Sequence, residues 1–397
     1  MEFHEKLQEL RKQKGLTQEA LAEAIFVSRT AVSKWESGRG YPNIDSLKFI
    51  FSVVIIYFHL VRSIPKWVGN SDFFSQLAQD CKGCHLIVEC FLIIAGAFIY
   101  SGYKRHQKSF IDFSISRIVR LWPVMFVYVV SIGLLRNMRL ESHLADLFFL
   151  RCTGLSLENK EIVWYISPFF WGSLFIFAAL QAFKQKISLL LFAVIAWIAY
   201  SININHLGGN VGREIVYSWL SLGMIRCIAG LCVGVLLAAL QESYRINYQQ
   251  FPKTQLVFLF SSIVEITCCG LLIYIFFVDK IILNSFIVIV LFSFLLLSFT
   301  SLKGGGCISF LLRNNVLSSF GKYCYSIYVM QLPSFIILEK TLWKKPWFWE
   351  SSAIGIFLSL LFSVGIGISV YYLIEKPGYQ FLNSFFSKLR KSANSQK

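Results

Sequence analysis

Lys48 and His59 stand eleven residues apart in an otherwise apolar stretch. At about 100° per residue they return to within about 20° of one helical face, roughly 16 Å apart along the axis. An ionisable group at the centre of a membrane span costs roughly 2.5–3.5 kcal/mol on insertion scales, so such positions default to function. A cation at one boundary and an imidazole deeper in the membrane suit a long anionic cofactor: Lys48 would hold its phosphates while His59 meets the reactive end as a base. Two plainer readings stay open, a lysine that snorkels to the surface and a histidine bonded to a backbone carbonyl. Glu89 lies in a second apolar run, Ile87 to Phe98, and needs a partner; His59 or an arginine is the natural candidate. Arg117 and Arg120 sit one turn apart just before Leu121-Trp122-Pro123 and share a face. That pair suits phosphate or serves as a topology signal alone.

Composition dictates which elements must carry these residues. Hydrophobic residues make up 56% of the chain and charged residues 15%, and the mean hydropathy is +0.59. A soluble fold needs roughly 25% charge, so an all-α polytopic membrane bundle is expected. Apolar runs near the length that crosses ~30 Å of hydrocarbon fall at 47–64, 85–102, 118–136, 162–183, 187–204, 215–240, 254–278, 281–301, 318–338 and 350–373. The expected organisation is a small helical domain at 1–47, a membrane domain at 48–378 and a basic tail at 379–397. Met1 to Glu9 is polar and acidic, unlike a secretory leader.

The formal net charge is +16, yet residues 1–47 hold seven Lys/Arg against seven Asp/Glu, so the excess belongs to the membrane part. There it reads as topology. Lys104, Arg105, Lys108, Arg117 and Arg120 follow the second span, and Lys388, Arg390, Lys391 and Lys397 close the tail. The positive-inside rule then places both termini in the cytoplasm of a multi-pass plasma-membrane protein. Residues 137–161 mix signs instead, as an outer segment would. The ten cysteines lie mostly in apolar runs and read as small apolar residues rather than a disulfide scaffold. Cys81-Lys82-Gly83-Cys84-His85 fits the string that attaches a c-type haem, but a local disulfide or two free thiols is the simpler reading, and no metal or haem is expected.

Residues 5–47 pattern as short helices. Gly15 ends the first, Thr17 caps the second, Ser28 caps a third that runs to Trp35, and Pro42 precedes a fourth. The runs Leu16-Thr17-Gln18, Leu21-Ala22, Val27-Ser28-Arg29 and Val32-Ser33-Lys34-Trp35-Glu36-Ser37-Gly38 closely resemble the Cro/repressor-type helix-turn-helix family. The resemblance implies that Gln18 contacts a DNA phosphate, that Arg29, Thr30, Ser33 and Lys34 face the major groove, and that Ala20, Leu21, Ile25, Val32 and Trp35 form a small core. A bundle used for protein contacts is the alternative. Asp45 to Ile50 leads straight into lipid without a flexible linker, and a neutral head beside anionic lipid has little electrostatic pull on a duplex. The head is therefore expected to dock DNA weakly, or to serve assembly or regulation.

The membrane part resembles the acyltransferase-3 family of polytopic enzymes over about 47–378. The matching elements are Lys48 with His59; Glu89, Phe91 and Gly96; Arg117, Arg120, Leu121 and Pro123; Trp164-Tyr165-Ile166-Ser167; Arg226 with Gly230 and Gly234; Gly321 to Tyr328; and Ile374-Glu375-Lys376-Pro377. The resemblance implies transfer of an acyl group, usually acetyl from acetyl-CoA, to a hydroxyl of a cell-surface glycan or related polymer. His59 would be the general base, oriented by Glu89, and Lys48, Arg117 and Arg120 would bind the phosphates of the acyl-CoA. This chain departs from the family pattern in having Lys48 for arginine, Ala95 for serine and Gln331 for a second histidine. The alternative reading of the whole chain is a membrane-anchored DNA-binding regulator whose spans sense a ligand.

Overall fold

The computed structural model describes residues 3–24, 32, 36, 42–64, 71–105, 108–137, 144–153, 162–206, 216–217, 220–248, 255–277, 284–301, 305–349 and 351–395. In the head, α1 (Phe3–Gln13) and α2 (Gln18–Ala24) are separated by Gly15, whose φ of +65° is the left-handed turn a glycine provides. Thr17 opens α2 by accepting from the Ala20 amide at 3.0 Å, as an N-cap should. Ala22 and Val32 are the buried centre of this small unit, with Leu7 and Leu21 against them. Ala20 is only partly buried, so Ala22 takes its expected place in the core, and Ile25 and Trp35 lie outside the described residues.

Helix α3 (Pro42–Ser63) runs unbroken from the head into the bundle. Proline tolerates its first turn because the missing N–H has no partner there, and 22 residues rise about 33 Å. The rest is α4 (Ser71–Asp80), α5 (Ile87–Arg105), α6 (Phe110–Arg136), α7 (Leu144–Leu147), α8 (Ile166–Ala182), α9 (Gln185–His206), α10 (Leu222–Tyr248), α11 (Gln255–Phe277), α12 (Asn284–Ser301), α13 (Cys307–Leu312), α14 (Asn315–Phe320), α15 (Cys324–Thr341), α16 (Ser352–Val370) and α17 (Lys376–Ser395). A two-residue antiparallel ladder, Val216–Tyr217 with Leu220–Ser221, precedes α10.

A helix occupies each of the ten expected windows, but the windows are not equivalent. Among the described residues seven helices are long and apolar enough to cross a membrane, while Ile166–Ala182 and Phe286–Thr300 are shorter apolar segments. The window at 318–338 is shifted to α15, because Asn314 caps the separate short helix α14 with its side chain and a 3-10 turn intervenes. The tail at 379–397 is helical to Ser395, joined to α16 through a π-turn at Tyr371–Glu375.

Two apolar clusters meet on α3. Ile44, Leu47, Phe51, Ile55, Phe58 and Val61 pack into the larger one with α5, α6 and α10. Ile56, Leu60 and Ile64 join the other, with Ile327, Phe335, Leu338 and Trp343. Lys48 and His59 fall on the strip between these faces. The tightest helix pair is α5 with α10, where glycines let the backbones approach. A Cβ on Gly96 would run into the Leu231 carbonyl, and one on Gly234 into the Ile93 carbonyl.

Candidate active site

On α3, Lys48 Nζ lies 2.5 Å from Asp45 Oδ1 and 5.5 Å from the Phe98 ring centre. The ammonium is thus held at the base of the stripe by a carboxylate three residues earlier and an aromatic face from α5. One turn further, Ser52 Oγ donates to the Lys48 carbonyl at 2.9 Å, with the Cys324 thiol of α15 beside it. His59, near the other end, is partly buried and packs edge-on against Phe58, with ring centres 4.9 Å apart.

A cavity of about 540 Å³ opens at the foot of this stripe, where Ile44 lines it. Ile44 of α3 and Phe98 of α5 contribute to its wall, and so do Lys104, Arg105, Lys108, Arg117 and Arg120. Arg117 is seated by aromatic faces: its guanidinium lies 4.7 Å from the Phe113 ring and 5.3 Å from that of Phe169. Phe113 in turn stacks on Phe177 at 4.0 Å, with the ring planes nearly parallel. Such faces attract the cation yet leave its N–H donors available. Glu242 is the carboxylate in the wall. It accepts from Tyr100 Oη at 2.7 Å and lies 3.4 Å from Lys104 Nζ. Five bases against one acid leave the cavity positive, and aromatic walls beside the cations fit a phosphorylated nucleotide. In sequence Lys104, Arg105 and Lys108 mark topology alone, since their convergence with the arginine pair depends on how α5 and α6 pack.

Glu89 is fully buried and tied to α9 and α10: Arg226 Nε donates to one carboxylate oxygen, and Tyr200 Oη donates to the other at 2.6 Å. Of the two partners left open, the arginine is the one supplied. Arg226 also donates to the His85 carbonyl at 3.2 Å and stands 5.5 Å from the Trp164 ring centre. Glu89 therefore joins three helices through these bonds. Tyr200 was missed because nothing local marks it; its partner lies 111 residues away.

Cys81 and Cys84 are buried free thiols at a 3-10 turn, and the His85 ring faces the Lys82 carbonyl at 2.6 Å. Among the described residues no group of three His, Cys, Asp or Glu is placed to hold a metal ion.

The family model described as an acyltransferase domain matches residues 41–372. The chain belongs to the acyltransferase-3 family. The apolar helices described above, α3 to α16, lie within that match. A helix-turn-helix model matches residues 7–53, so the first half of α3 is shared by both matches. The HTH-type transcriptional activator BcrR of Enterococcus faecalis is 69% identical over 58 residues, 14% of this chain, and the chain spans only 28% of that protein's length. No solved structure matches.

In the helix-turn-helix unit, the Gln18 amide nitrogen donates to Glu36 Oε2 at 2.9 Å. Arg11 grips the same carboxylate, Nε to Oε1 at 2.5 Å and Nη2 to Oε2 at 3.0 Å. That guanidinium holds the Glu36 carboxyl below its ordinary range. Arg29, Thr30, Ser33 and Lys34 lie outside the described residues.

Proposed function

We propose that the enzyme is an O-acyltransferase that takes an acyl group, acetyl in the first instance, from acyl-CoA on the cytoplasmic side and places it on a hydroxyl of a cell-surface carbohydrate or related polymer. The observation that carries this reading is the positive, aromatic-walled cavity at the foot of the Lys48–His59 stripe. Arg117, Arg120 and Lys48 bind the phosphates of acetyl-CoA, with Lys104, Arg105 and Lys108 completing the positive wall. The pantetheine arm then follows the stripe, and its thioester reaches His59. The imidazole takes the proton of the acceptor hydroxyl as that oxygen attacks the thioester carbonyl, and returns it to the departing thiolate. Glu89 supports the site by bracing α5, α9 and α10.

Two observations support a multi-pass plasma-membrane protein with both termini in the cytoplasm. Ile44 at the start of α3 and Tyr379 near the start of α17 line the same cavity as the five bases, and such bases mark the inner face. His59→Ala tests the mechanism. Surface acylation, measured by mass spectrometry of envelope glycans, should disappear with protein level unchanged; retained acylation would reject His59 as the base.

A second reading concerns the head. The likeness to a transcriptional activator supports a DNA-reading module held at the membrane, with Gln18, Arg29, Thr30, Ser33 and Lys34 at the duplex. Full-length protein in nanodiscs should retard duplex DNA from its own promoter region, and Arg29→Ala should abolish that. Equal retardation by both proteins would favour a protein-contact role.

A further inference from the structure

Gln331 of α15 is completely buried, and among the described residues neither its Nε2 nor its Oε1 has a hydrogen-bond partner. A buried primary amide left wholly unmatched is costly, and native folds seldom keep one without a use. Its position is defined by the pairing of α15 with α3. Gly321, just before α15, lies against the Asp45 backbone; the Phe320 ring stands 5.0 Å from that of Phe49; the Cys324 thiol lies near Ser52; and Ile327, Phe335 and Leu338 share a cluster with Ile56, Leu60 and Ile64. The contacts advance together along both segments, so the two helices run in the same direction. Seven residues beyond Ser52 is His59, and seven beyond Cys324 is Gln331. Each step advances about 10.5 Å and returns to within about 20° of the starting face. This register brings Gln331 to the side of α15 that faces the His59 end of α3.

We infer that Gln331 contacts the substrate and supplies the hydrogen bond that stabilises the oxyanion during acyl transfer; this rests on the reading of His59 as the base. The acceptor oxygen attacks the thioester carbonyl carbon, the C=O electron pair moves onto the carbonyl oxygen, and Gln331 Nε2–H donates to it. When the intermediate collapses the C–S bond breaks, and the CoA thiolate leaves with the proton held by His59. Oε1 is left to accept from a second hydroxyl of the acceptor. The amide's missing partner is thus the reacting group itself, and a donor placed before the reaction is most effective in a site closed to water.

Gln331→Met separates this role from a structural one, because it removes the orphaned polar atoms and keeps nearly the same volume. Full-length protein in nanodiscs is given acetyl-CoA and an envelope extract, and release of the CoA thiol is followed. The expected result is a fall in kcat of about 10²-fold, as for loss of one oxyanion donor, with KM for acetyl-CoA within a few-fold and the thermal midpoint unchanged or raised. Wild-type turnover in Gln331→Met overturns the proposal, and so does a loss of activity that tracks a falling midpoint. His59→Ala in the same assay keeps the failures apart: full activity there rejects the base, whereas loss there with full activity in Gln331→Met rejects only the role of Gln331.

Discussion

Glu89 and Arg226 are 137 residues apart in the chain and form a buried ion pair between α5 and α10. Burying two charges is costly and is offset only when both are paired and hydrogen-bonded. Here Tyr200 and the His85 carbonyl complete the set.

Arg226→Met should therefore be worse than removing both charges. The single change leaves Glu89 buried and uncompensated and should cost about 3–5 kcal/mol, whereas Glu89→Gln with Arg226→Met should recover most of that. Thermal unfolding in detergent measures both, and equal midpoints for the single and double variants would contradict the pairing.

Close backbone approach between α5 and α10 makes Gly96 and Gly234 intolerant of side chains. Gly96→Leu or Gly234→Leu forces the helices apart and should destabilise by about 1–3 kcal/mol or more, while Gly102→Ala, where a Cβ meets nothing within 4 Å, should be harmless. The amount of folded protein after heating distinguishes the sites.

The cavity predicts a charge signature. Arg117→Ala and Arg120→Ala should each raise KM for acetyl-CoA about ten-fold or more, the range expected for a lost charge-assisted hydrogen bond of roughly 1.5–3 kcal/mol. Raising the salt should mimic them partly, since the cavity is open to solvent ions. A KM unaffected by either variant would move the donor site elsewhere.

The head should be acid-sensitive. Arg11 lowers the pKa of Glu36, so the contribution of that pair is present above the unfolded carboxylate range, near pH 4.3, and is lost as pH falls through the lower folded value. Hydrogen exchange over residues 7–24 of the full chain should stay slow at neutral pH and quicken below about pH 4. Arg11→Ala should give fast exchange at neutral pH, a loss of about 1.5–3 kcal/mol locally.

Much of the architecture was legible in the amino-acid order, because lipid demands apolar runs of a fixed length and because Gly15 and Thr17 act through their own backbone neighbours. The Lys48–His59 stripe was legible for the same reason, since helical periodicity is a property of one segment. Tertiary structure decided which distant groups meet. Glu89 went to Arg226 and Tyr200 because α5, α9 and α10 pack through glycines, and Lys104, Arg105 and Lys108 joined the arginine pair because α5 and α6 converge at one cavity. Gln331 reads in sequence as a polar residue in an apolar helix; only the packing shows it completely buried, with no hydrogen-bond partner among the described residues. Local rules act over a few residues and can be read directly, whereas burial and pairing depend on contacts between segments that the order of residues does not display.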